Sequence, residues 1–352
     1  MRLLFVSPCV EDEFFGGVQS TARLAIKGLA ERQGAAEMKV LCYGPRCGCS
    51  ARSSNRLCSR SKAQAAWNAA RVRGWGQKLV FWHIDLLKLL PFIGRGNRRT
   101  YLFVHGIECW RPLEGFTRRL VDSVDMFLTN SEFTWRRFTE MNPRWKSSSH
   151  RTIQLGLGSP EHHIDPPGGV PAAIIIARMN AAEAYKGHRE LIAAWPLVVA
   201  RAPEAELWIV GGGDAAGDLQ NLASASPAAR HIRFFGVVTE EEKQNLLRQS
   251  RCLVLPSRGE GFGLVYLEAM RLGRPCLASI HDAGREVIGH PESGIAVEPG
   301  NLPALAAAVV ELLNTDGKWQ QWSSNARRRY EAEFTAAHFE KRLAGAVLEG
   351  EA

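Results

Sequence analysis

Hydrophobic residues along the chain follow one arrangement that occurs twice. Short apolar runs, the pattern of strands buried on both faces, alternate with longer segments in which apolar residues recur at helical spacing. In the first half, buried strands are predicted at residues 3–6, 39–43, 101–104 and 124–131. In the second half, they are predicted at residues 172–177, 207–210, 232–236, 252–255, 276–279 and 295–297. This alternation of strands and helices is typical of α/β proteins with parallel sheets.

A segment rich in proline and glycine at residues 159–170 separates the two halves, which share this architecture but no internal sequence repeat. The chain has 352 residues, which is enough for two domains that each bury a core of their own. We therefore predict a first domain at residues 1–165, a second domain at residues 170–330 and a terminal helical segment at residues 331–352.

Charge is distributed unevenly between the two halves. Residues 1–160 hold 25 Lys and Arg against 12 Asp and Glu (+13), and residues 161–352 hold 19 against 24 (−5), which together give the net charge of +8. Twelve of the basic residues lie between Gly44 and Thr100, where Asp85 is the single acid. Such a surface favours an anionic partner, either a nucleic acid or an acidic membrane surface.

Residues 78–92 are an apolar and aromatic stretch inside this basic region. As an interfacial element, the stretch would place aromatic rings at the level of lipid headgroups and the flanking arginines of residues 71–99 against anionic lipid. Alternatively, it is a strand followed by a core helix within a basic surface. The sequence leaves both interpretations open.

The chain carries no sign of export or of a membrane span. No apolar run approaches the roughly 18 residues that a spanning helix needs, and residues 1–8 lack the features of a signal peptide. We therefore expect the protein in the cytoplasm, either free or peripheral on the inner face of the membrane. The eight cysteines lack regular pairing and fit reduced thiols. Four of them cluster at a spacing that favours loop thiols over a zinc site, namely Cys42, Cys47, Cys49 and Cys58.

Residues 258–270 combine a glycine-rich loop with two acidic side chains. Glu260 lies at the carboxyl end of a predicted strand, and Glu268 lies within the helix that follows. Backbone N–H groups of residues 261–263, at the helix start, and the positive end of the helix dipole favour an anion such as a diphosphate. One carboxylate on each side of that position suits a ligand whose hydroxyl groups flank its phosphates, such as a sugar nucleotide.

The two acids have seven residues between them, and the segments Glu-Gly-Phe-Gly-Leu and Glu-Ala-Met surround them. This part of the chain resembles the E-x7-E signature of retaining GT-B glycosyltransferases, in particular glycosyltransferase family 4. The resemblance is dense over residues 172–312 and looser over residues 1–135. It implies two Rossmann-like domains that face each other across a cleft, and a C-terminal helix that crosses back to pack on the first domain.

The resemblance assigns the sugar donor mainly to the second domain. Glu260 matches the glutamate that contacts the transferred sugar, so it is the first catalytic candidate, and Glu268 matches the glutamate that contacts the ribose. Arg178 and Lys186 match the basic pair that holds the donor diphosphate, although the segment between them is longer than usual in the family. Further donor contacts are predicted at Gly17, Val238, Gly261, Phe262, Gly263 and Leu264.

The first domain is assigned to the acceptor. The run His-Gly-Ile-Glu-x-Trp that begins at His105 resembles the family loop that faces the cleft, so His105 is the second catalytic candidate, either touching the transferred sugar or stabilising charge. Glu108 and Trp110 of the same run are candidate acceptor contacts. Ser131 and Thr134 resemble a Ser-x-x-Thr element of the family, but an ordinary helix N-cap explains Ser131 equally well.

The resemblance implies transfer of a sugar with retention of configuration, from a UDP- or GDP-sugar to a saccharide or lipid-linked acceptor in cell-surface or exopolysaccharide synthesis. No cofactor and no metal are expected, because no D-x-D triplet occurs and basic side chains can neutralise the leaving diphosphate. A GT-B sugar-nucleotide epimerase is one alternative, and a basic nucleic-acid-binding protein is another. The second would leave the acidic pair unused and lacks a repeated aromatic and basic pattern, so no nucleic-acid partner is expected.

Overall fold

The computed structural model describes residues 1–10, 16–45, 47, 55–161, 167–314 and 317–349. The chain divides into two compact units. The first unit comprises Met1–Gly156 and Ala336–Ala352, and the second comprises Leu157–Thr335. Each unit contains a parallel sheet with helices packed on it, which confirms the predicted α/β class with two Rossmann-like sheets.

The described strands of the first unit form one parallel sheet. They are β1 (Leu3–Pro8), β2 (Met38–Tyr43), β3 (Arg56–Ser59), β4 (Lys78–Phe81), β5 (Arg99–Val104), β6 (Met126–Thr129) and β7 (His150–Thr152). Their order across the sheet is β3-β2-β1-β4-β5-β6-β7. The order reverses at β1, which pairs with both β2 and β4, and such a reversal opens a crevice at the carboxyl ends of the strands.

Helices cover this sheet because its strands are apolar on both sides. All four residues of 3–6 in β1 are fully buried, as are Leu79, Val80 and Phe81 in β4, so neither face is left to solvent. The described helices are α1 (Gly17–Gln33), α2 (Lys62–Arg71), α3 (Leu90–Ile93), α4 (Gly115–Val121) and α5 (Glu132–Met141), with 3₁₀ turns at Ala35–Glu37, Ile84–Leu89 and Pro143–Trp145.

The second unit repeats the plan with a sheet in the order β10-β9-β8-β11-β12-β13. Its described strands are β8 (Ala172–Ile176), β9 (Glu206–Val210), β10 (Ile232–Gly236), β11 (Cys252–Val254), β12 (Cys276–Ser279) and β13 (Gly294–Val297). Its helices are α6 (His188–Val199), α7 (Ala216–Ser224), α8 (Glu240–Gln249), α9 (Leu264–Arg271), α10 (Gly284–Ile288), α11 (Leu302–Leu313) and α12 (Gly317–Glu333), with 3₁₀ turns at Ala181–Lys186 and Ala229–His231. The order reverses at β8, between β9 and β11.

The end of the chain belongs to the first unit. The long terminal helix expected from the sequence is interrupted at the buried residues Phe334 and Thr335, where α12 stops and α13 (Ala336–Ala344) begins. A π-helical turn, Gly345–Glu349, continues α13. The units meet in sequence after Gly156 and again at Ala336, whereas the sequence placed these boundaries near 165–170 and 331.

Helix α13 packs on the first unit through an aromatic contact. Phe339 is fully buried and lies edge-on to Trp82, with 6.3 Å between ring centroids. The next residue of α13, Glu340, lies against Gly28 of α1. The apolar face of the sheet at the end of β4 is therefore covered by the last part of the chain.

Residues 55–77, where the hydrophobic pattern predicts no strand, contain regular structure. The strand β3 extends the sheet at its edge, and α2 follows with Ser61 as its N-cap, accepting a hydrogen bond from the Gln64 N–H. Asn68 fixes the two together by donating to the Cys58 carbonyl and the Ser59 hydroxyl, both at 3.1 Å. The prediction was wrong here because the polar side chains of an edge strand hide its pattern.

The cysteines differ from the expectation at one position. Cys58 is disulfide-bonded, so the prediction of reduced thiols is wrong there. Cys49 of the predicted cluster lies outside the described residues. Cys109, Cys252 and Cys276 are buried thiols. Within the described ranges, no group of three or more His, Cys, Asp or Glu side chains is placed to hold a metal ion.

Residues 78–92 form β4, a 3₁₀ turn and α3, and most of their apolar side chains lie in the core. Arg98 stabilises this arrangement. It is buried and donates hydrogen bonds to the carbonyls of Trp75 and Ile93 at 2.9 and 2.8 Å. The interpretation in which this whole stretch inserts its aromatic rings among lipid headgroups is therefore wrong. In the part of the chain that the structure covers, no helix is long and apolar enough to cross a bilayer.

Replacing Phe339 with alanine should destabilise the first unit by about 3–5 kcal/mol, because it empties a fully buried aromatic site under α13. The midpoint of urea unfolding, followed by tryptophan fluorescence, measures the loss. Leu222→Ala, a truncation of an exposed side chain on α7, is the matched control and should shift the midpoint little. An unchanged midpoint for Phe339→Ala would show that α13 contributes no packing energy.

Candidate functional site

The two acids of residues 258–270 lie where the sequence places them, one before and one within α9. Both Glu260 and Glu268 are largely shielded from solvent. The helix begins at Leu264, after Gly263 in the left-handed region with a φ of 84°. A Cβ at that glycine would lie 2.5 Å from the Tyr266 ring, so the approach to the helix requires glycine.

The side chain of Phe262 points away from any ligand site. It is buried and packs edge-on to Phe334, with ring centroids 5.9 Å apart. Its predicted donor contact is therefore restricted to its backbone. Gly261 and Leu264 are half-buried, and their contacts with a donor stay predictions.

Glu260 forms an ion pair with Lys186, which ends the 3₁₀ turn after β8. Burial acts to lower the pKa of Lys186, but the Glu260 carboxylate outweighs it, and the pKa is raised. The lysine is thus a permanent cation at neutral pH. The structure brings together the first acid and one member of the predicted basic pair.

The backbone around Gly187 holds this ion pair in place. Gly187 has a φ of 89°, and a Cβ there would lie 2.7 Å from the Pro256 carbonyl oxygen. The loop after β11 and the turn that carries Lys186 therefore lie in direct contact. The Arg258 N–H strengthens the contact by donating to the Tyr185 carbonyl at 2.9 Å.

Arg178, the other member of the basic pair, is bound differently. Its guanidinium lies 2.6 Å from Glu183, an acid within the longer segment between the two basic residues. The Arg178 side chain remains 70% exposed. Burial raises the pKa of Tyr185, and charges on Lys186, Glu183, Glu260 and Arg178 all act on it, so these four groups surround one phenol.

Glu268 is paired with a lysine that the sequence analysis missed. Lys243 on α8 lies 2.9 Å from Glu268 and 2.8 Å from Glu240. Burial raises the pKa of Glu268, although Lys243 acts to lower it. Thr239 forms a capping box with Glu242 that fixes the start of α8, and this start decides which helix face carries Lys243.

Asp282 is a second missed residue. It is 2% exposed, and its two carboxylate oxygens accept hydrogen bonds from the N–H of Glu260, at 3.3 Å, and of Gly284, at 2.8 Å. The Ala283 N–H returns a bond of 3.0 Å to the Glu260 carbonyl. Burial and the nearby Glu260 charge raise the pKa of Asp282 well above its ordinary range. Its signal in the sequence was its position shortly after the predicted strand at residues 276–279, at the carboxyl edge of the sheet.

Val238, the predicted base contact, follows β10 and is half-buried. Its neighbour Val237 is exposed and lies over Gly212, which follows the adjacent strand β9. The ends of β9 and β10 thus form an apolar rim at the carboxyl edge of the second sheet. A flat base fits such a rim.

His188, at the start of α6, is a buried imidazole beside Lys186. It is 4% exposed, and among the described residues its Nε2 has no hydrogen-bond partner. Burial and the Lys186 charge lower its pKa to about 4. It lines a cavity of about 130 Å³ together with Asn180, Glu183 and Asp218.

His105, the second catalytic candidate, is buried in the first unit. It stacks on Phe103, with ring centroids 4.5 Å apart, and its Nε2 lies 2.6 Å from the Trp82 carbonyl oxygen. Because a carbonyl only accepts, the proton sits on Nε2 and Nδ1 is left as an acceptor. Burial lowers the pKa of His105 to about 4. A neutral ring does not stabilise an anion by charge, and the contact of His105 with the transferred sugar stays a prediction.

Glu108 is bound to its own loop. Its carboxylate accepts hydrogen bonds from the N–H groups of His105, at 2.7 Å, and Gly106, at 3.1 Å. It therefore shapes the turn after β5. Trp110 lies edge-on to Phe133, at 5.5 Å between centroids. Contacts of Glu108 and Trp110 with an acceptor stay predictions.

Ser131 and Gly17 both stand at helix starts. Ser131 is fully buried and caps α5 by accepting a hydrogen bond from the Thr134 N–H at 3.0 Å. The N-cap interpretation therefore describes it, and a direct acceptor contact through its hydroxyl is wrong. Gly17 is the exposed first residue of α1, and the loop before it at residues 11–15 lies outside the described residues.

Comparison with known proteins bears on the second unit first. Residues 170–315 match the family model described as glycosyl transferases group 1. This range lies inside the second unit and contains both acids and both basic residues of the predicted donor site.

Curated relatives extend the similarity over most of the chain. A GDP-mannose-dependent monoacylated α-(1-6)-phosphatidylinositol monomannoside mannosyltransferase of Corynebacterium glutamicum is 27% identical over 280 residues, which covers 73% of this chain and 71% of the relative. The O-antigen chain mannosyltransferase C of Escherichia coli is 23% identical over 367 residues, which covers 96% of this chain and 95% of the relative.

A solved structure shares the fold. Sucrose-phosphate synthase from Thermosynechococcus elongatus superimposes with a TM-score of 0.76 at 19% identity and covers 98% of both chains. At this identity, the likeness speaks for the arrangement of elements alone.

Acidification should weaken the fold partly through His188. Its pKa is about 4 in the folded protein and about 6.5 in the unfolded chain, so the unfolded chain takes up a proton that the folded one refuses. Stability therefore falls as the pH drops from 6.5 to 4. His188→Leu should remove about 3 kcal/mol of this loss at pH 4 and leave stability at pH 7 nearly unchanged.

Urea unfolding of the wild type and of His188→Leu at pH 7.5 and pH 4.5 measures the difference. Exposed His281→Leu is the matched control. Equal pH dependence in His188→Leu and the wild type would contradict the burial of a neutral imidazole.

Proposed function

We propose that this glycosyltransferase moves a hexose from a nucleotide diphosphate sugar to a saccharide or lipid-linked acceptor, with retention of the anomeric configuration and without a metal ion. The observation that carries the proposal is the pairing of each acid of the E-x7-E segment with a buried lysine at one edge of the second sheet. The match to glycosyl transferases group 1 over residues 170–315 supports it.

The donor is assigned to the carboxyl edge of the second sheet. Lys186 and Arg178 would neutralise the diphosphate, since both are cations at the end of β8 or in the turn after it. Glu268 on α9 would accept hydrogen bonds from the ribose hydroxyls, and Val238 would border the base. Glu260 would contact the transferred sugar, so it is the catalytic residue of this half.

Glu260 and Glu268 are each already paired with a lysine, so the entry of an anionic donor can change these pairings. A donor diphosphate competes with Glu260 for Lys186, and a released Glu260 can then accept hydrogen bonds from the sugar. Burial raises the pKa of Glu268, and Lys243 acts against this by favouring the carboxylate, the form that accepts hydrogen bonds from the ribose hydroxyls. Lys243 is thus a positioning residue for the ribose contact.

The reaction exchanges one bond at the anomeric carbon for another. The bond from that carbon to the diphosphate oxygen breaks, and its electron pair leaves with the diphosphate. The acceptor hydroxyl oxygen forms the new bond on the same face, and its proton passes to the leaving diphosphate. Stabilisation of the diphosphate by cations placed in advance lowers the barrier without a metal ion.

Asp282 would hold the catalytic loop in the position that this chemistry needs. Its carboxylate binds the N–H of Glu260 and the N–H of Gly284, so the loop after β11 is tied to the start of α10. A shift of about 1 Å in a reacting group can cost about a hundredfold in rate. Asp282 acts through Glu260 and is therefore a positioning residue.

The acceptor is assigned to the first unit. His105 would offer the lone pair of Nδ1 as a neutral hydrogen-bond acceptor, because Nε2–H is committed to the Trp82 carbonyl. Glu108 would act through the loop that it shapes, and Trp110 would present its ring. The relatives named above act in mannosylation of a phosphatidylinositol glycolipid and of an O-antigen chain. A cell-surface glycolipid or polysaccharide acceptor and GDP-mannose as donor are the first pair to test.

No specific observation supports either alternative function. The relatives carry the names of transferases, and the donor region adds one buried acid, Asp282, whose oxygens are occupied by backbone N–H groups. An epimerase or a nucleic-acid-binding protein is therefore not proposed.

Donor binding should stabilise the protein against heat. A thermal-shift screen against GDP- and UDP-sugars should give a higher melting temperature with at least one of them. Lys186→Ala should weaken binding of that donor by about tenfold to a hundredfold, because a charged hydrogen bond to the diphosphate is worth about 1.5–3 kcal/mol. Glu268→Ala and Lys243→Met should both weaken it as well.

Lys318→Ala removes an exposed lysine from the same unit and serves as the matched control. Calorimetric titration of each variant gives the affinities. If no nucleotide sugar raises the melting temperature of the protein, the donor site is ruled out. If Lys318→Ala and Lys186→Ala lose equal affinity for the donor, the location of the site is ruled out.

We also propose that an anionic membrane surface docks on the face formed by α2 and α3. Two large aromatic side chains stand out there, Trp67 at 68% and Phe92 at 45% exposure. Arg71 lies one helical turn from Trp67, and Arg73 donates to the Phe92 carbonyl at 3.4 Å. Aromatic rings beside arginines suit the headgroup region of an anionic bilayer. This face replaces the buried part of the stretch first considered.

Sedimentation with vesicles of phosphatidylglycerol and phosphatidylcholine tests the docking face. Binding should require the anionic lipid and weaken as salt rises, because the arginine contacts are screened. Trp67→Ser should reduce the bound fraction several-fold. Phe116→Ser, which removes an exposed aromatic ring from α4, should leave it unchanged. Salt-insensitive sedimentation, or none, would contradict the proposal.

A further inference from the structure

A large cavity lies in the first unit, on elements that the donor chemistry does not use. Its volume is about 890 Å³. It is bordered by the end of α1, the start of α5, the edge strand β7, and one side of α13 with the π-helical turn. Its lining residues are Arg32, Glu132, Arg151, Thr152, Ile153, His338, Lys341, Arg342, Gly345, Ala346 and Glu349.

Positive charge dominates the lining. Four permanent cations, on Arg32, Arg151, Lys341 and Arg342, face two carboxylates, on Glu132 and Glu349. Counted over the arginine, lysine and glutamate side chains of the lining, the balance is +2. Three elements that are distant in sequence, α1, β7 and α13, contribute these cations, so the concentration of charge is a result of the fold.

One of the two carboxylates is already occupied. Glu132 accepts a hydrogen bond from the Thr152 hydroxyl with one oxygen, and its other oxygen lies 3.8 Å from His150. Both partners belong to β7, so Glu132 is held against the strand. The Glu132 carboxylate is therefore engaged by this strand and is not free to face the centre of the cavity.

Among the residues that the structure describes, three of the cations have no counterion. Within the described residues, no ion pair is formed by Arg32, Arg151 or Lys341. Unpaired cations that share one cavity repel each other, and a bound anion removes the repulsion. Guanidinium groups bind phosphate oxygens through two parallel hydrogen bonds, and an ammonium adds a compact charge.

We propose that this cavity binds a ligand that carries phosphate esters, with Arg151, Lys341 and Arg32 as its contacts. The volume falls within the range of about 300–1,000 Å³ typical of small-molecule sites, so there is room for a phosphorylated polyol and not only for a lone ion. Such a polyol phosphate exists either free in solution or as the headgroup of a lipid. A ligand here would also fasten α13 to β7 and the end of α1.

The site is separate from the proposed donor site in residues and in unit. Its cations lie at positions 32, 151, 341 and 342, whereas the donor cations lie in the second unit. The proposal therefore stands or fails independently of the donor assignment, and its test has to exclude pyrophosphate binding to the donor cations.

The test uses the full chain carrying Lys186→Ala and Trp67→Ser, so that the donor diphosphate contact and the proposed docking face for vesicles are both already weakened. Inorganic pyrophosphate is titrated by calorimetry in one arm, and phosphatidylglycerol vesicles are sedimented with the protein in the other. Adding Arg151→Ser and Lys341→Ser should weaken binding in at least one arm by about tenfold or more. The matched control removes two exposed cations elsewhere on the first unit, Lys27→Ser and Arg119→Ser, and should change neither arm.

Each outcome decides the question. A loss confined to the pyrophosphate arm assigns a soluble phosphorylated ligand, and a loss confined to the vesicle arm assigns a lipid headgroup. Equal losses in the cavity and control variants mean diffuse charge attraction and overturn the proposal, as does an absence of binding in both arms. Circular dichroism of all variants separates these results from misfolding, since every substituted side chain reaches solvent.

Discussion

The ion pair between Lys186 and Glu260 is the interaction on which the organisation of the second unit's functional edge depends. It joins two segments that are 74 residues apart in sequence, the turn after β8 and the loop after β11. Partly buried charges are tolerated only when they are paired, so neither residue can move far without the other. The contact of Gly187 with the Pro256 carbonyl brings the two backbones close enough for this pairing.

The same principle accounts for the rest of the edge. Glu268 is buried and paired with Lys243, and Asp282 is buried and satisfied by two backbone N–H groups. A site for a polyhydroxylated anion needs acceptors and cations in a small volume, and these groups repel or lose hydration unless they compensate one another. The protein meets this requirement with its own side chains and backbone, so the fold itself places these groups.

Sequence patterns were sufficient to predict much of the fold and of the candidate site. Strand periodicity predicted both sheets, and the glycine-rich approach to α9 predicted where its two acids would stand. They were insufficient where the environment of a side chain depends on a residue that is distant in sequence. Lys243 looks like any exposed helix lysine until the rotation of α8 is known, and the burial of His105 depends on Phe103 and Trp82 from two strands. The edge strand β3 was not predicted because polar side chains interrupt its apolar pattern.

The return of the chain at Ala336 makes the first unit discontinuous in sequence, and this has a consequence for synthesis on the ribosome. The second unit, Leu157–Thr335, is contiguous and can close as soon as α12 has emerged. The first unit begins earlier yet lacks the helix that covers Trp82 until α13 has emerged. Its apolar surface is therefore exposed throughout translation of the second unit, which makes the nascent first half the natural client for a chaperone.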